Sequence, residues 1–226
     1  MIKGVVFDLD DTLISERLYV FSGFKEVAKK ISCDYRIDEN ELFFNMKKLF
    51  EKDPKMIFNR LLDEHRLEYT MGDIKKLIKH YREHIPDIRL YDDANYMLKY
   101  LYNKKFKLGM ITDGYENTQK NKIKVLGIEK FFDIIVITDE IGRDYWKPHK
   151  RPYEMVKEKL ELAYEEMFYV GDNIEKDFIT ANQLGMKTVM ICREDGIYKE
   201  ADMDKKYLAK YKIQNLKELI GIMDMC

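Results

Sequence analysis

Two patterns of apolar positions divide the chain. Short apolar runs rich in β-branched residues occur at the N-terminus and again after about residue 87, and such runs predict strands that are buried on both faces. Between them, apolar residues recur at intervals of three and four, as in Leu42, Met46 and Leu49, which predicts amphipathic helices. No strand pattern interrupts residues 15–86. The chain therefore predicts an α/β domain with an inserted helical region.

The α/β part alternates strands with helices. Strands are expected at residues 4–9, 108–111, 134–137, 168–170 and 188–191, and helices at 94–101, at 152–162, and before Gly127 and Gly185. This order favours a doubly wound parallel sheet with helices on both faces. We therefore assign residues 1–14 and 87–226 to an α/β core and residues 15–86 to an all-helical domain. In such sheets, ligands bind beyond the carboxyl ends of the strands.

Composition excludes several classes of protein. The 226 residues are 46% hydrophobic and 36% charged, and their formal net charge is −1. This balance offers no basic field for nucleic acid, and no apolar run reaches the length of a membrane span. Cys33, Cys192 and Cys226 are odd in number and widely spaced, which fits a reducing cytoplasm better than a disulfide framework. We expect a cytoplasmic protein with no nucleic-acid or membrane partner, and the sequence leaves its oligomeric state open.

Polar side chains follow the predicted strands at the points where the strands end. They are Asp8, Asp10 and Asp11 after the first strand, Thr112 and Asp113 after the second, and Asp172 and Asp177 after a later one, with Lys147 in a loop between. Parallel strands bring these ends to one edge. Buried carboxylates need a cation, and Mg²⁺ prefers oxygen ligands. Carboxylates, a hydroxyl and an ammonium group together suit phosphoryl transfer.

These residues also have a purely structural interpretation. Asp10 and Asp11 suit a turn or a helix cap, an interpretation that we favour for Asp11 and not for Asp10. Thr112-Asp113-Gly114 and Gly171-Asp172 are compatible with simple turns. For Gly171-Asp172, Asp177 favours a functional interpretation, because the helix that follows the turn can direct Asp177 back to the same edge of the sheet. The four histidines show no metal-ligand spacing, and we assign them no chemistry.

Four motifs make the chain resemble the haloacid dehalogenase superfamily. In chain order they are Asp8-Leu9-Asp10-Asp11-Thr12, Ile111-Thr112-Asp113-Gly114, Lys147-Pro148, and Gly171-Asp172-Asn173 with Asp177. The similarity covers nearly the whole chain and extends to Gln119 and Lys122 between the motifs. One motif would be weak evidence, whereas four in this order on the predicted elements are strong. The resemblance implies a phosphatase with a helical C1 cap formed by residues 15–86.

The resemblance also implies which groups react. Asp8 would be the nucleophile and form an aspartyl-phosphate, and Asp10 would protonate the leaving alcohol and then deprotonate water. Thr112 and Lys147 would complete the catalytic set. The phosphate-binding residues would be Thr112, Asp113, Gly114 and Lys147. The substrate would be a small phosphorylated metabolite, which the sequence does not identify.

Magnesium is the cofactor that the resemblance implies. Asp8, the backbone carbonyl of Asp10, and Asp172 would hold the ion, with waters and substrate as the other ligands. Asp177 and Asn173 would support this site without binding the ion themselves. Asp177 would orient the lysine or a metal-bound water.

Several alternatives stay open at this point. The stretch from Gly142 to Lys147 is longer than the family pattern, so Lys150 competes with Lys147 as the phosphate-binding lysine. The four motifs also fit a phosphomutase, which returns the phosphoryl group to its substrate. A non-enzymatic phospho-accepting regulator would also cluster acids and a lysine at strand ends. It would lack the long helical insertion and the acid beside the nucleophile.

Overall fold

A computed structural model describes residues 1–196 and 204–225. Its strands are β1 (Gly4–Phe7), β2 (Lys107–Thr112), β3 (Ile134–Ile137), β4 (Met167–Gly171), β5 (Lys187–Ile191) and β6 (Tyr211–Ile213). Its helices are α1 (Glu16–Tyr35), α2 (Glu39–Lys52), α3 (Ile57–Glu64), α4 (Met71–Glu83), α5 (Asp92–Asn103), α6 (Glu116–Leu126), α7 (Thr138–Ile141), α8 (Arg151–Leu160), α9 (Phe178–Leu184) and α10 (Leu219–Asp224). Cys33 and Cys192 are free thiols, and Cys226 lies outside the described residues.

The strands form one parallel sheet, which confirms the predicted fold class. Their order is β3-β2-β1-β4-β5-β6, and all of the described pairings are parallel. The chain adds β2 and β3 on one side of β1 and then places β4 on its other side, so the order reverses between β1 and β4. Ligands bind at such a reversal in open α/β sheets. The sequence pattern missed β6, because Tyr-Lys-Ile is too short to show a period.

Apolar side chains cover both faces of the sheet. In β1, Val5 and Phe7 belong to one buried cluster, which includes Met97 of α5, and Val6 belongs to another, which includes Val156 of α8. Successive side chains of a strand point to opposite faces, so β1 is apolar throughout because both faces are covered. This burial removes water from the end of β1, where the charged residues begin.

The chain divides into two compact units, Met1–Arg17 with Ile88–Cys226, and Leu18–Asp87. The predicted bounds of the helical domain, 15–86, differ from the second unit by a few residues, and its assignment as a cap stays a prediction. Inside this unit, the rings of Phe24, Phe58 and Tyr81 pack against one another. Among the described residues, no helix combines the length and the apolar character that crossing a membrane requires.

Candidate active site

Neighbouring strands end together at the predicted site. The parallel register pairs Phe7 with Met110 of β2 and with Val170 of β4. The backbone N–H of Asp8 continues this ladder by donating to the carbonyl of Val170 at 2.9 Å. Asp8 and Asp172 therefore follow adjacent strands, at the point where the strand order reverses.

Lys147 is buried among acceptors that follow β1, lie within β4 and follow β4. Its ammonium group donates to Oδ1 of Asp8 at 2.6 Å, to Oδ1 of Asp177 at 2.7 Å and to the hydroxyl of Tyr169 at 3.1 Å. Burial lowers the pKa of Lys147, but the carboxylates of Asp177 and Asp8 outweigh it and hold this pKa well above its ordinary value. The competing Lys150 has a side chain that is 68% exposed. The geometry thus brings Lys147, and not Lys150, into contact with Asp8.

Three buried carboxylates meet beside this lysine. Asp8, Asp172 and Asp177 each offer one oxygen, and these oxygens lie within 4.8 Å of one another. Burial raises the pKa of Asp8 to about 7, against the lowering effect of Lys147. Burial and the nearby Asp8 also raise the pKa of Asp172 well above its ordinary value. One ammonium group leaves an excess of negative charge here, so an oxygen-ligated divalent cation such as Mg²⁺ fits the donor set.

Asp177 reaches this cluster because Gly171 has no side chain. A Cβ at Gly171 would lie 2.5 Å from Oδ2 of Asp177, a distance that would force the carboxylate away. The same oxygen accepts a hydrogen bond of 2.9 Å from the backbone N–H of Asn173. The side chain of Asn173 accepts from the backbone N–H of Glu175. Asn173 therefore shapes the loop that presents Asp177, and its side-chain oxygen is directed at that loop.

The carboxylate of Asp10 is directed at α6. Lys122 donates to Oδ1 of Asp10 at 2.6 Å, and Gln119 donates to Oδ2 at 3.0 Å. Gln119 also contacts the hydroxyl of Thr112. Since Lys122 and Gln119 contact both carboxylate oxygens, a metal contact of Asp10 would use its backbone carbonyl, as the resemblance implies.

Asp11 has the geometry of a turn residue. Its φ of +48° lies in the left-handed region, which aspartate tolerates better than most residues. Its carboxylate accepts a hydrogen bond of 2.8 Å from the backbone N–H of Glu16, the first residue of α1. The turn is closed by the N–H of Leu13, which donates to the carbonyl of Leu9 at 2.9 Å. These contacts agree with the structural interpretation that we favour for Asp11.

The carboxylate of Asp113 is engaged by protein donors. Oδ1 accepts from the hydroxyl of Thr138 at 2.8 Å and from the backbone N–H of Lys147 at 3.0 Å, and Oδ2 accepts from Lys176 at 3.0 Å. Burial raises the pKa of Asp113, but Lys147 and Lys176 outweigh it and lower this pKa overall. A charged carboxylate repels phosphate, so phosphate binding here would use backbone N–H groups. The φ of +134° at the following Gly114 is a conformation that favours glycine.

Several residues that contact the predicted site have no distinguishing signal in the sequence. They are Gln119, Lys122, Tyr169 and Lys176. Helix α6 reads ENTQKNKIKVL and is polar along most of its length, so no period separates the buried Lys122 from its exposed neighbours. Tyr169 lies inside a buried strand, where a tyrosine is indistinguishable from other core residues.

The chain is similar to known hydrolases over almost its whole length. A family described as haloacid dehalogenase-like hydrolase matches residues 5–191. The chain is 33% identical to a protein of Methanocaldococcus jannaschii named glyceraldehyde 3-phosphate phosphatase, over 99% of this chain and 97% of that protein. It is 25% identical to pyrophosphatase PpaX of Oceanobacillus iheyensis, over 98% and 97%. The structure of the HAD-hydrolase YfnB from Bacillus subtilis bound to magnesium covers 99% of each chain, with a TM-score of 0.68 and 21% identity, and shares the fold.

Proposed function

Because the chain belongs to the haloacid dehalogenase-like hydrolase family and is a phosphoric monoester hydrolase, we propose that it is a magnesium-dependent phosphatase acting on a small phosphorylated metabolite. The reaction would pass through an aspartyl-phosphate on Asp8. The observation that carries this proposal is the buried contact between Asp8 and Lys147, beside Asp172 and Asp177. A nucleophile, a fixed positive charge and a site for a divalent cation are what phosphoryl transfer needs.

In the first step, a carboxylate oxygen of Asp8 attacks phosphorus. A new P–O bond forms as the bond from phosphorus to the ester oxygen breaks, and Asp10 gives its proton to the leaving oxygen. Lys147 would neutralise charge on the phosphoryl oxygens, which interact with positive groups most strongly in a water-poor site. The hydroxyl of Thr112 would donate a further hydrogen bond to these oxygens.

In the second step, water attacks the phosphorus of the aspartyl-phosphate. Asp10, now a carboxylate, takes a proton from that water. The bond between phosphorus and Asp8 breaks, which releases inorganic phosphate and restores the Asp8 carboxylate. Asp10 therefore needs a position from which it reaches both the leaving oxygen and the attacking water.

The carboxylates of Asp8 and Asp172 and the backbone carbonyl of Asp10 would hold Mg²⁺. When bound, Mg²⁺ neutralises charge on the transferring group and on the carboxylates around it. Asp177 would keep Lys147 in place, because it accepts from the same ammonium group that contacts Asp8. Asn173 would hold the loop of Asp177 through its backbone N–H.

The names of relatives suggest which substrates to test first. Glyceraldehyde 3-phosphate is the first choice, because the relative named glyceraldehyde 3-phosphate phosphatase is 33% identical over almost the full length of both chains. Pyrophosphate is the second, from the name of a relative at 25% identity. The experiment is a screen of small phosphorylated metabolites that measures free phosphate with and without Mg²⁺. Magnesium-dependent release from at least one monoester supports the proposal, and no release from any of them contradicts it.

Further measurements on the same substrates separate the remaining alternatives. A phosphomutase would convert a sugar phosphate to its isomer and would respond to a bisphosphate activator, whereas a phosphatase releases free phosphate without one. A non-enzymatic regulator would accumulate phosphate on Asp8 and release little. The pairing of Asp10 with side chains of α6 supports an enzyme that moves protons, because a simple phosphate acceptor needs no acid at this position.

A further inference from the structure

Two polar side chains of α6 are buried and contact the same carboxylate. Gln119 and Lys122 are only 1% and 2% exposed, and residues three apart lie on the same face of a helix. Lys122 contacts Oδ1 of Asp10, and Gln119 contacts Oδ2. The two oxygens of Asp10 are therefore held by two separate donors of one rigid element.

Lys122 differs sharply from its neighbours on α6. Lys120 and Lys124, on either side of it, are exposed to solvent. A buried lysine is rare unless it is paired, since removing its charge from water costs several kcal/mol. The ion pair with Asp10 at 2.6 Å supplies part of this compensation, and the acidic side chain of Glu16 also interacts electrostatically with Lys122. The burial of Lys122 is therefore linked to the position of the Asp10 carboxylate.

Gln119 links Asp10 to a second residue of the site. Its amide nitrogen donates to Oδ2 of Asp10 and also contacts the hydroxyl of Thr112. The NH₂ group of Gln119, and not its amide oxygen, faces both of these acceptors. Gly114 leaves room for this side chain, because a Cβ at Gly114 would lie 3.1 Å from Cδ of Gln119. Gln119 thus ties the loop after β1 to the end of β2.

We propose that Gln119 and Lys122 act as positioning residues for Asp10. This pair, the α6 clamp, holds the Asp10 carboxylate where it meets the leaving oxygen and then the attacking water. The inference rests on the proposed function, because the α6 clamp affects the reaction only if Asp10 transfers protons. Contacts to both oxygens stop rotation of the carboxylate, which a single contact would allow. A displacement of about 1 Å in a catalytic group costs about 10²-fold in rate.

The test compares Lys122→Met, which keeps the length of the side chain and removes its charge, with the matched control Lys124→Met on the exposed side of α6. Single-turnover phosphorylation rates are measured on an alkyl phosphate and on nitrophenyl phosphate, whose leaving group needs little protonation. We expect Lys122→Met to lose at least about 10-fold on the alkyl phosphate and much less on the aryl phosphate, since proton transfer contributes about 10²–10⁴-fold. Lys124→Met should match the wild type on both substrates, and Lys122→Arg should recover part of the loss.

A double-mutant cycle with Asp10→Asn separates positioning from a general structural effect. If Lys122 acts through Asp10, Lys122→Met causes no further loss of activity on the alkyl phosphate in the Asp10→Asn background. Equal losses on both substrates, or an additive loss in that background, would overturn the inference. Should Lys122→Met fail to fold, as judged by circular dichroism, Lys122→Gln removes the same charge while keeping a polar side chain, and its activities on the two substrates are read in the same way.

Failure of the proposed function would look different. In that case the wild type would release no phosphate from either substrate, or Asp8→Asn would keep full activity. The α6 clamp would then have no role in the reaction. Failure of the clamp alone leaves an active wild type and an inactive Asp8→Asn variant, with an unchanged ratio of alkyl to aryl activity in Lys122→Met.

Discussion

The ammonium group of Lys147 lies 2.6 Å from Oδ1 of Asp8, although 139 positions separate the two residues in the chain. The same ammonium group contacts Asp177 at 2.7 Å, so it is held from two sides. Lys147 contacts only one oxygen of Asp8, and the two oxygens of this carboxylate are therefore not equivalent. A buried ammonium group beside the nucleophile suits phosphoryl transfer, because it stabilises negative charge on the reacting oxygens.

Replacing Asp8 with asparagine should abolish turnover and leave the fold intact. The amide is close to the carboxylate in size, but it is a poor nucleophile and carries no charge for Lys147 or a metal. We expect a fall of at least about 10³-fold in phosphate release, comparable with the loss of other covalent nucleophiles. Circular dichroism of the same sample checks the fold. Near wild-type activity in Asp8→Asn would exclude an aspartyl-phosphate on this residue.

Removal of divalent cations should abolish activity, and Mg²⁺ should restore it. The cation relieves the repulsion among Asp8, Asp172 and Asp177, so it should also raise the midpoint of thermal unfolding. This rise should be much smaller in Asp172→Asn, which removes one charge from the cluster. Calcium should bind without supporting turnover, because its higher coordination number alters the geometry of in-line attack. Full activity in excess chelator is the result that would refute the metal site.

The two competing lysines should differ greatly in their effect. Lys147→Ala removes a buried positive charge that contacts Asp8, and we expect its rate to fall by about 10²-fold or more. Lys150→Ala should change the rate less than about twofold, because the Lys150 side chain is 68% exposed. Steady-state rates for the two variants on one substrate make the comparison. The opposite ranking would show that Lys150 is the phosphate-binding lysine.

The effect of Asp10→Ala should depend on the leaving group. An alkyl oxide needs a proton as it departs, whereas nitrophenolate leaves readily without one, so the alkyl phosphate should lose about 10²-fold more activity. Single-turnover kinetics isolate the phosphorylation step for each substrate. Equal losses on the two phosphates would mean that Asp10 does not protonate the leaving group.

The ion pair between Arg193 and Asp93 should contribute to stability. Both side chains are buried, their charged atoms lie 2.7 Å apart, and Arg193 also donates to the carbonyl of Thr12. Arg193→Met leaves the buried Asp93 carboxylate without its ion-pair partner, with the backbone N–H of Leu216 still donating to it, so the free energy of unfolding should fall by about 3 kcal/mol. Denaturant titration measures this change, with Arg89→Met as a control at an exposed position. Equal stability of the two variants would show that the pair is not needed.

Local patterns in the sequence are sufficient to predict the sheet. Short, β-branched apolar runs such as Gly4–Phe7 are typical of buried strands, and their alternation with helices predicts the parallel sheet that the structure confirms. The four motifs also predicted the family, which the family match confirms. The roles of Asp8, Asp10 and the other site residues stay predictions, which the experiments above address.

The sequence by itself therefore determined the family, the fold class and the sheet edge at which charged residues gather. Only the tertiary structure decided which of these groups touch. In the structure, Lys147 rather than Lys150 contacts Asp8, and Gln119 and Lys122 contact Asp10. The physical reason is that the spacing of apolar residues along the chain identifies helices and strands locally. The direction of each side chain depends on how helices and strands that are distant in the chain pack together.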